Sequence, residues 1–197
     1  GGTLALDGSH RLANGAAVTV ASGAAMTLAG DDTVASLALA GTLAGTGTLT
    51  AATYALDGGT AQANLGAGAL SSVGLSTLNG TAAASTVAVN AGSLSLGAAD
   101  RLVGPAAVTV AAAASLDLGA DQTLGSLAGA GTVNLGSFTL STGSLGSSTF
   151  AGSLTGTGGL VKQGSGSFTL SGDNTYSGST RVAAGTLALP GTLASSA

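Results

Sequence analysis

Groups that could support acid–base or nucleophilic catalysis are sparse in this sequence. His10 is the one imidazole among 197 residues, there is no cysteine, and Asp and Glu together number eight. Serine is abundant, so a Ser-His-Asp set can be written around His10, but geometry rather than residue inventory defines such a site. When the two halves of the chain are aligned, Asp100 takes the place of His10, beside a turn. We therefore predict that His10 is a polar surface residue and that the chain contains no catalytic site.

The carboxylates offer two places to consider for sugar chemistry or metal binding. Asp31 and Asp32 are adjacent, and Asp173 precedes Asn174. Glycoside hydrolysis needs two carboxyls facing one bond, and no further sequence-close pair is present. Calcium takes oxygen ligands of this kind, but the Gly-Gly-x-Gly-x-Asp calcium repeat is absent. Asx turns at the corners of the fold are the simpler interpretation, with calcium as the alternative, so we predict no metal and no cofactor.

Composition excludes several classes of partner. The four basic residues, Arg11, Arg101, Lys162 and Arg181, are spread along the chain, whereas nucleic-acid binding needs clustered positive charge. No apolar run approaches the roughly 20 residues of a membrane-spanning helix, so we expect no membrane insertion of this segment. The sequence does not begin with Met and shows no signal peptide, and we expect it to be a piece of a longer protein.

The elements that position these residues repeat along the chain. A shift of 90 positions places residues 2–43 on residues 92–133 without a gap, and half of the 42 pairs are identical. Later segments correspond more weakly. Internal repetition with this regularity indicates a repeat architecture. We predict one continuous structure over 1–197, with internal units 1–91 and 92–184 and a third unit opening at 185–197.

Within each unit, short segments alternate apolar with small or polar residues and are separated by Gly or Asn-Gly. This period of two indicates strands, for example Val18-Thr19-Val20, Leu94-Ser95-Leu96 and Phe168-Thr169-Leu170. With 45% apolar and 3% aromatic residues, the core must consist of thin aliphatic layers, which suits a solenoid. The alanines at 111–114 favour a helix, but flanking strands make extended structure the prediction there. We predict an all-β parallel solenoid of about ten coils with roughly 20 residues each, about 50 Å long.

Residues 158–189 carry a distinct motif, which runs from Gly-Gly-Leu-Val-Lys through Asp-Asn-Thr-Tyr-Ser-Gly to Gly-Thr-Leu-Ala-Leu. This segment closely resembles the passenger-associated transport repeat, also called the autotransporter-associated β-strand repeat, of type V secreted proteins. Phe168 stands where Leu is more usual in that repeat. The residues that match and are predicted as its structural motif are Gly159, Leu160, Lys162, Gly164, Gly166, Leu170, Gly172, Asn174, Thr175, Tyr176, Gly178, Thr180, Val182, Gly185, Thr186 and Leu187.

The resemblance implies a right-handed parallel β-helix that is exported and then passes the outer membrane through a C-terminal translocator β-barrel of the same full-length protein. It implies an extracellular location on the bacterial surface, anchored through that barrel. We expect a non-enzymatic stalk of an adhesin that supports cell adhesion, aggregation or biofilm formation through self-association or contact with other cell surfaces or glycans. A scaffold for a protease or esterase domain elsewhere in the protein, and a specific glycan- or ice-binding module, are the alternatives. No regular threonine array for ice is evident around Thr46, Thr48 and Thr50.

Overall fold

A computed structural model describes residues 1–193 as a stack of short strands, with no helix in that range. Accordingly, no helix long and apolar enough to cross a membrane occurs among these residues. The strands are β1 Thr3–Leu6, β2 Ala17–Val20, β3 Ala25–Leu28, β4 Asp32–Leu39, β5 Thr42–Gly45, β6 Thr48–Asp57, β7 Thr60–Ala61, β8 Asn64–Leu65, β9 Ala69–Val73, β10 Leu75–Leu78, β11 Thr86–Val89, β12 Gly92–Leu96, β13 Ala107–Val110, β14 Ala114–Leu118, β15 Gln122–Leu124, β16 Ser126–Gly129, β17 Thr132–Asn134, β18 Thr139–Thr142, β19 Ser148–Phe150, β20 Ser153–Thr155, β21 Gly159–Lys162, β22 Ser167–Leu170, β23 Thr180–Val182 and β24 Thr186–Ala188.

The strands form three parallel sheets that share one axis. The first sheet has the order β1-β3-β5-β7-β10-β12-β14-β17-β20, the second β2-β4-β6-β9-β11-β13-β16-β19-β22-β24 with β8 beside β6, and the third β15-β18-β21-β23. Each strand pairs with the strand one coil further along. Thr53 pairs with Ala69 across a coil of 16 residues, and Thr3 pairs with Ala25 across a coil of 22. The ten strands stacked in the second sheet confirm the predicted all-β solenoid of about ten coils.

The interior is a continuous ladder of side chains from the inward positions of all three sheets. Leu37, Leu70 and Val108 are fully buried in the second sheet, and Leu94 and Leu116 face them from the first. The alternation of buried and less buried residues along each strand is the alternation that the sequence shows. Four of the five aromatic side chains are also buried, so they add volume to the aliphatic core and are not surface residues. These four are Tyr54, Phe150, Phe168 and Tyr176.

The alanine run at 111–114 is a tight turn, so the prediction of extended structure there was wrong. The Ala114 N–H donates to the Ala111 carbonyl at 2.9 Å, the i to i+3 bond of a β-turn. The equivalent turn in the first half closes from Ala24 to Ala21 at 3.0 Å. The chain passes here from the second sheet to the first, and each coil must bend sharply to do so. β14 begins directly after the turn, at Ala114.

Tyr54 places a phenol in the core with no exposed surface. Its hydroxyl accepts from the Ala51 N–H at 2.8 Å and donates to the Leu49 carbonyl at 3.0 Å. Burial raises the pKa of Tyr54, because a phenolate in this interior would lose its hydration, and the backbone donor of Ala51 offsets only part of this.

We expect Tyr54→Phe to lower the free energy of unfolding by about 1–3 kcal/mol, because it leaves the buried Ala51 N–H without its acceptor and removes one of the two donors to the Leu49 carbonyl, which keeps the Gly66 N–H. The neutral phenol is favoured in the folded state, so its contribution to stability is complete below the ordinary pKa of 10.0 and is lost as the pH rises through the higher folded value. Urea unfolding at neutral pH and at a series of alkaline pH values measures both effects. Tyr54→Phe should lack this alkaline loss, and identical alkaline profiles for the two proteins would contradict the assignment.

Candidate functional site

The candidate catalytic position His10 lies on an exposed corner of the solenoid. His10 has φ 56° and its repeat equivalent Asp100 has φ 46°, both in the left-handed region that His and Asp enter more readily than most residues. Their N–H groups donate to the carbonyls of Asp31 at 3.0 Å and Asp121 at 3.1 Å. Both side chains are exposed, and that of His10 makes no hydrogen bond within residues 1–193. The two positions therefore share a backbone conformation rather than a chemical group.

Asp32 is a buried carboxylate that holds the preceding coil. Only 2% of it is exposed, and its oxygens accept from the N–H groups of Arg11 at 2.7 Å, Leu12 at 3.1 Å and Thr33 at 2.9 Å. The prediction of a local Asx turn is therefore wrong here, because two of these three hydrogen bonds connect Asp32 to another coil. At this corner, residues of the neighbouring coil, about 20 positions earlier in sequence, lie within hydrogen-bond distance of the Asp32 carboxylate.

Gln122 fills the same role one unit later. It is 1% exposed, and its Oε1 accepts from the Arg101 N–H at 3.0 Å while its Nε2 donates to the Ala98 carbonyl. What Arg11 and Arg101 share is therefore that the backbone N–H of each donates to a buried side-chain oxygen in the following coil. Their guanidinium groups differ, since Arg11 pairs with Asp7 at 3.1 Å on the surface.

The neighbouring aspartates continue this pattern in the opposite direction. Asp31 Oδ1 accepts from the Thr48 N–H and Asp121 Oδ1 from the Thr139 N–H, both at 2.8 Å, and each donor lies in the following coil. The pair Asp31-Asp32 therefore joins three successive coils. Of the residues considered for calcium, Asp31, Asp32 and Asn174 accept backbone hydrogen bonds, and Asp173 accepts one from the Thr192 hydroxyl. No group of three or more His, Cys, Asp or Glu side chains suited to a metal occurs among the described residues.

We expect Asp32→Ala to lower the free energy of unfolding by about 3 kcal/mol, because the N–H groups of Arg11 and Leu12 lose a buried charged acceptor. Asp31→Ala is the control: Asp31 is exposed, so water replaces its carboxylate at the Thr48 N–H and the cost should stay below about 1 kcal/mol. Urea unfolding gives the stabilities, and amide hydrogen exchange at Arg11 and Leu12 locates the loss. Equal destabilisation by the two variants would refute this role of Asp32.

The sixteen residues of the predicted motif lie in two successive coils that pair with each other. β21 pairs with β23, so that Leu160 lies beside Thr180, and β22 pairs with β24, so that Phe168 lies beside Leu187. The motif is therefore long enough to build one coil and the strands that cover it.

Lys162 is the most unusual residue of the motif, because it is a lysine with no exposed surface. Its Nζ donates to the carbonyl oxygens of Gln163, Gly164 at 2.9 Å and Ala184 at 3.4 Å. Ala184 belongs to the following coil, so the ammonium connects the two coils of the motif. Buried charges are normally paired with an opposite charge, whereas here only carbonyl dipoles surround the ammonium within the described residues. Sequence reasoning selected Lys162 as a motif position but did not predict its burial.

Asn174 and Tyr176 secure the corner of the same unit. Asn174 is 1% exposed; its Oδ1 accepts from the Leu154 N–H at 3.1 Å, and its Nδ2 donates to the carbonyls of Gly172 at 2.8 Å and Thr192 at 3.3 Å. One amide side chain thus contacts three coils, as the pair Asp31-Asp32 does. The Tyr176 hydroxyl lies 2.7 Å from the Thr180 Oγ1.

One glycine of the motif, Gly172, belongs to a column of close backbone contacts. A Cβ on Gly172 would overlap the carbonyl oxygen of Gly152 in the preceding coil, a Cβ on Gly152 that of Gly131, and a Cβ on Gly191 that of Gly172. We call these four residues the glycine column. Only Gly172 was among the predicted motif residues; the other three share the spacing of about 20 residues that could have revealed them.

Comparison with known proteins supports the motif itself. Residues 160–189 match the family model of the Passenger-associated-transport-repeat, which confirms the resemblance on which the prediction was based. No curated protein and no solved structure matches the chain. The match therefore covers the last coils of the described solenoid.

Proposed function

We propose that this chain is a stalk segment of the passenger of a type V secreted bacterial surface protein, and that it supports adhesion, aggregation or biofilm formation. One observation carries the proposal: the passenger repeat forms the last two coils of an uninterrupted ten-coil parallel solenoid. Such a repeat suggests an autotransporter passenger, and a continuous solenoid suits a structural role.

The rigidity that a stalk requires follows from the contacts between coils. Each coil is joined to the next by backbone ladders in the sheets and by a continuous apolar core. Buried polar side chains at the corners, such as Asp32 and Asn174, add bonds between coils where the ladders are interrupted. Because each coil contacts only its neighbours, stability accumulates along one dimension. Ten coils at about 4.8 Å each give a rod of about 50 Å.

Secretion by this route favours a chain that folds one coil at a time. The absence of cysteine from the sequence avoids disulfide-closed loops that would have to pass a narrow pore. Lys162 and Asn174 each complete their hydrogen bonds only when the coil containing residues 180–192 is in place. We propose that folding of these coils outside the cell assists export, and that the protein is held at the outer membrane by a translocator domain of the full-length chain.

A glycan-binding module is the less favoured function. Sugar sites commonly use aromatic platforms, but Tyr54, Phe150, Phe168 and Tyr176 are buried in the described core, and Phe138 is half-buried.

Expression of the full-length protein on bacteria tests the proposal. A variant without the coils at 158–189 should show reduced surface display, measured by antibody labelling of intact cells. A variant without 1–157 should still be displayed but should aggregate or adhere less than the unaltered protein. Unchanged aggregation by the second variant at equal display would reject the stalk function.

A further inference from the structure

We infer that the outer face of the second sheet binds the same face of a second copy of this chain. This inference rests on the adhesive function proposed above and names the partner and the surface. The face consists of the outward residues of the strands from β2 to β24 in the order given for that sheet.

The outward residues of this face are unusually uniform. In each of the first seven coils, the two central outward positions contain one alanine and one serine or threonine, from Ala17 with Thr19 in β2 to Ser126 with Ala128 in β16. A methyl and a hydroxyl therefore alternate over a flat parallel sheet. Hydroxyls both donate and accept hydrogen bonds, so two such faces can satisfy each other, and small side chains allow the backbones to approach closely.

Charge is nearly absent from this face, which is the second and independent observation. Among the described residues, Asp57 at the end of β6 is the one charged residue in its outward positions. The first sheet has Asp117 on its outer surface, and Asp31 and Asp121 lie on the corner it shares with the third side. The chain has a net charge of −4, so a carboxylate that meets its own counterpart in a second copy would oppose association. Asp117 occupies a central outward position of the first sheet, between Ser95 and Asn134, whereas Asp57 lies at the end of its strand. The central outward positions of the second sheet therefore carry no charge that would oppose itself in a second copy.

The area is sufficient for a specific interface. Ten coils about 4.8 Å apart, each presenting about 13 Å of strand, give roughly 600 Å² per copy and roughly 1,200 Å² in total, which exceeds the approximately 1,000 Å² expected of a biological interface. An isologous pairing uses the same face on both copies, and an antiparallel arrangement with full overlap places the two-fold axis between β11 and β13. Ala88 and Thr109 then lie close to the axis.

Analytical ultracentrifugation of the purified chain tests the inference. The unaltered protein should form a dimer in a concentration-dependent manner. The double variant Ala88→Lys with Ala128→Lys places like charges across the interface and should weaken dimerisation by roughly 100-fold or more. Thr77→Lys with Thr132→Lys is the matched control, because these residues face outward on the first sheet with similar half-burial, and its dimerisation should be unchanged. Circular dichroism verifies that both variants fold.

A second variant keeps the test informative if the lysines prevent folding. The chain has no cysteine, so Thr109→Cys should form a disulfide-linked dimer under mild oxidation, whereas Thr77→Cys should not. A monomer at all concentrations, equal weakening by both lysine variants, or binding of the face to a glycan or ice surface by a monomeric protein would overturn the inference. If cells with the lysine variant of the second sheet still aggregate while the deletion variant does not, the surface is wrong and the adhesive function stands.

Discussion

Replacing Gly172 by alanine should destabilise the end of the solenoid by about 3 kcal/mol or more. The added methyl would overlap the carbonyl oxygen of Gly152, which is backbone and cannot rotate away. The two coils must then separate and lengthen the hydrogen bonds between β19 and β22. Because coils contact only their neighbours, we expect local opening of the coils after residue 152 before the rest unfolds.

Amide hydrogen exchange combined with urea unfolding measures this effect and locates it. Gly15→Ala is the control, because a Cβ at Gly15 meets no atom within 4 Å and its backbone is not left-handed. That variant should be neutral or slightly stabilising, since alanine reduces the entropy of the unfolded chain. A Gly172→Ala protein as stable as the Gly15→Ala protein would show that the coils are not in close contact at the glycine column.

Removing the side chain of Lys162 should produce the second large effect. Lys162→Ala leaves the carbonyls of Gln163, Gly164 and Ala184 without their donor and creates a cavity where the aliphatic stem was. We expect a loss of about 3–4 kcal/mol in the free energy of unfolding. In cells, the same variant should lower surface display of the full-length protein.

Lys162→Met separates the charge from the packing. Methionine approximates the volume of the stem but cannot donate, so we expect an intermediate loss of about 1–3 kcal/mol. Urea unfolding of the three proteins provides the comparison. A methionine variant more stable than the unaltered protein would mean that the cost of burying the ammonium exceeds the gain from its carbonyl partners, as happens for some buried ion pairs.

The strands were predictable because their signal is local. Triplets such as Val18-Thr19-Val20 alternate with the period of a strand, and the pattern reports directly which residues face inward. The repeat of 90 residues also indicated a repeat architecture, in which neighbouring segments stack on each other. The turn at 111–114 was missed because four alanines carry no turn signal; only its counterpart with Gly23 shows one, with φ 73°.

The contacts of the corners were not predictable from local pattern. The partners of Asp32 and Asn174 lie about 20 residues away in sequence, and coil lengths between 16 and 22 residues prevent a fixed spacing from identifying them. Lys162 shows a further limit: its type indicates a surface residue, and only its enclosure by three carbonyls explains its burial. The division into two units remains a prediction.

The direction of the ladders determines how the protein responds to mechanical force. Hydrogen bonds between parallel coils run along the rod, so a pull on the two ends of the chain does not shear whole sheets but peels one terminal coil at a time. Each coil of about 20 residues that detaches releases about 65 Å of extended chain in place of about 5 Å of rod. We expect a segment of this construction, if held at both ends, to lengthen coil by coil under load rather than to fail in one step.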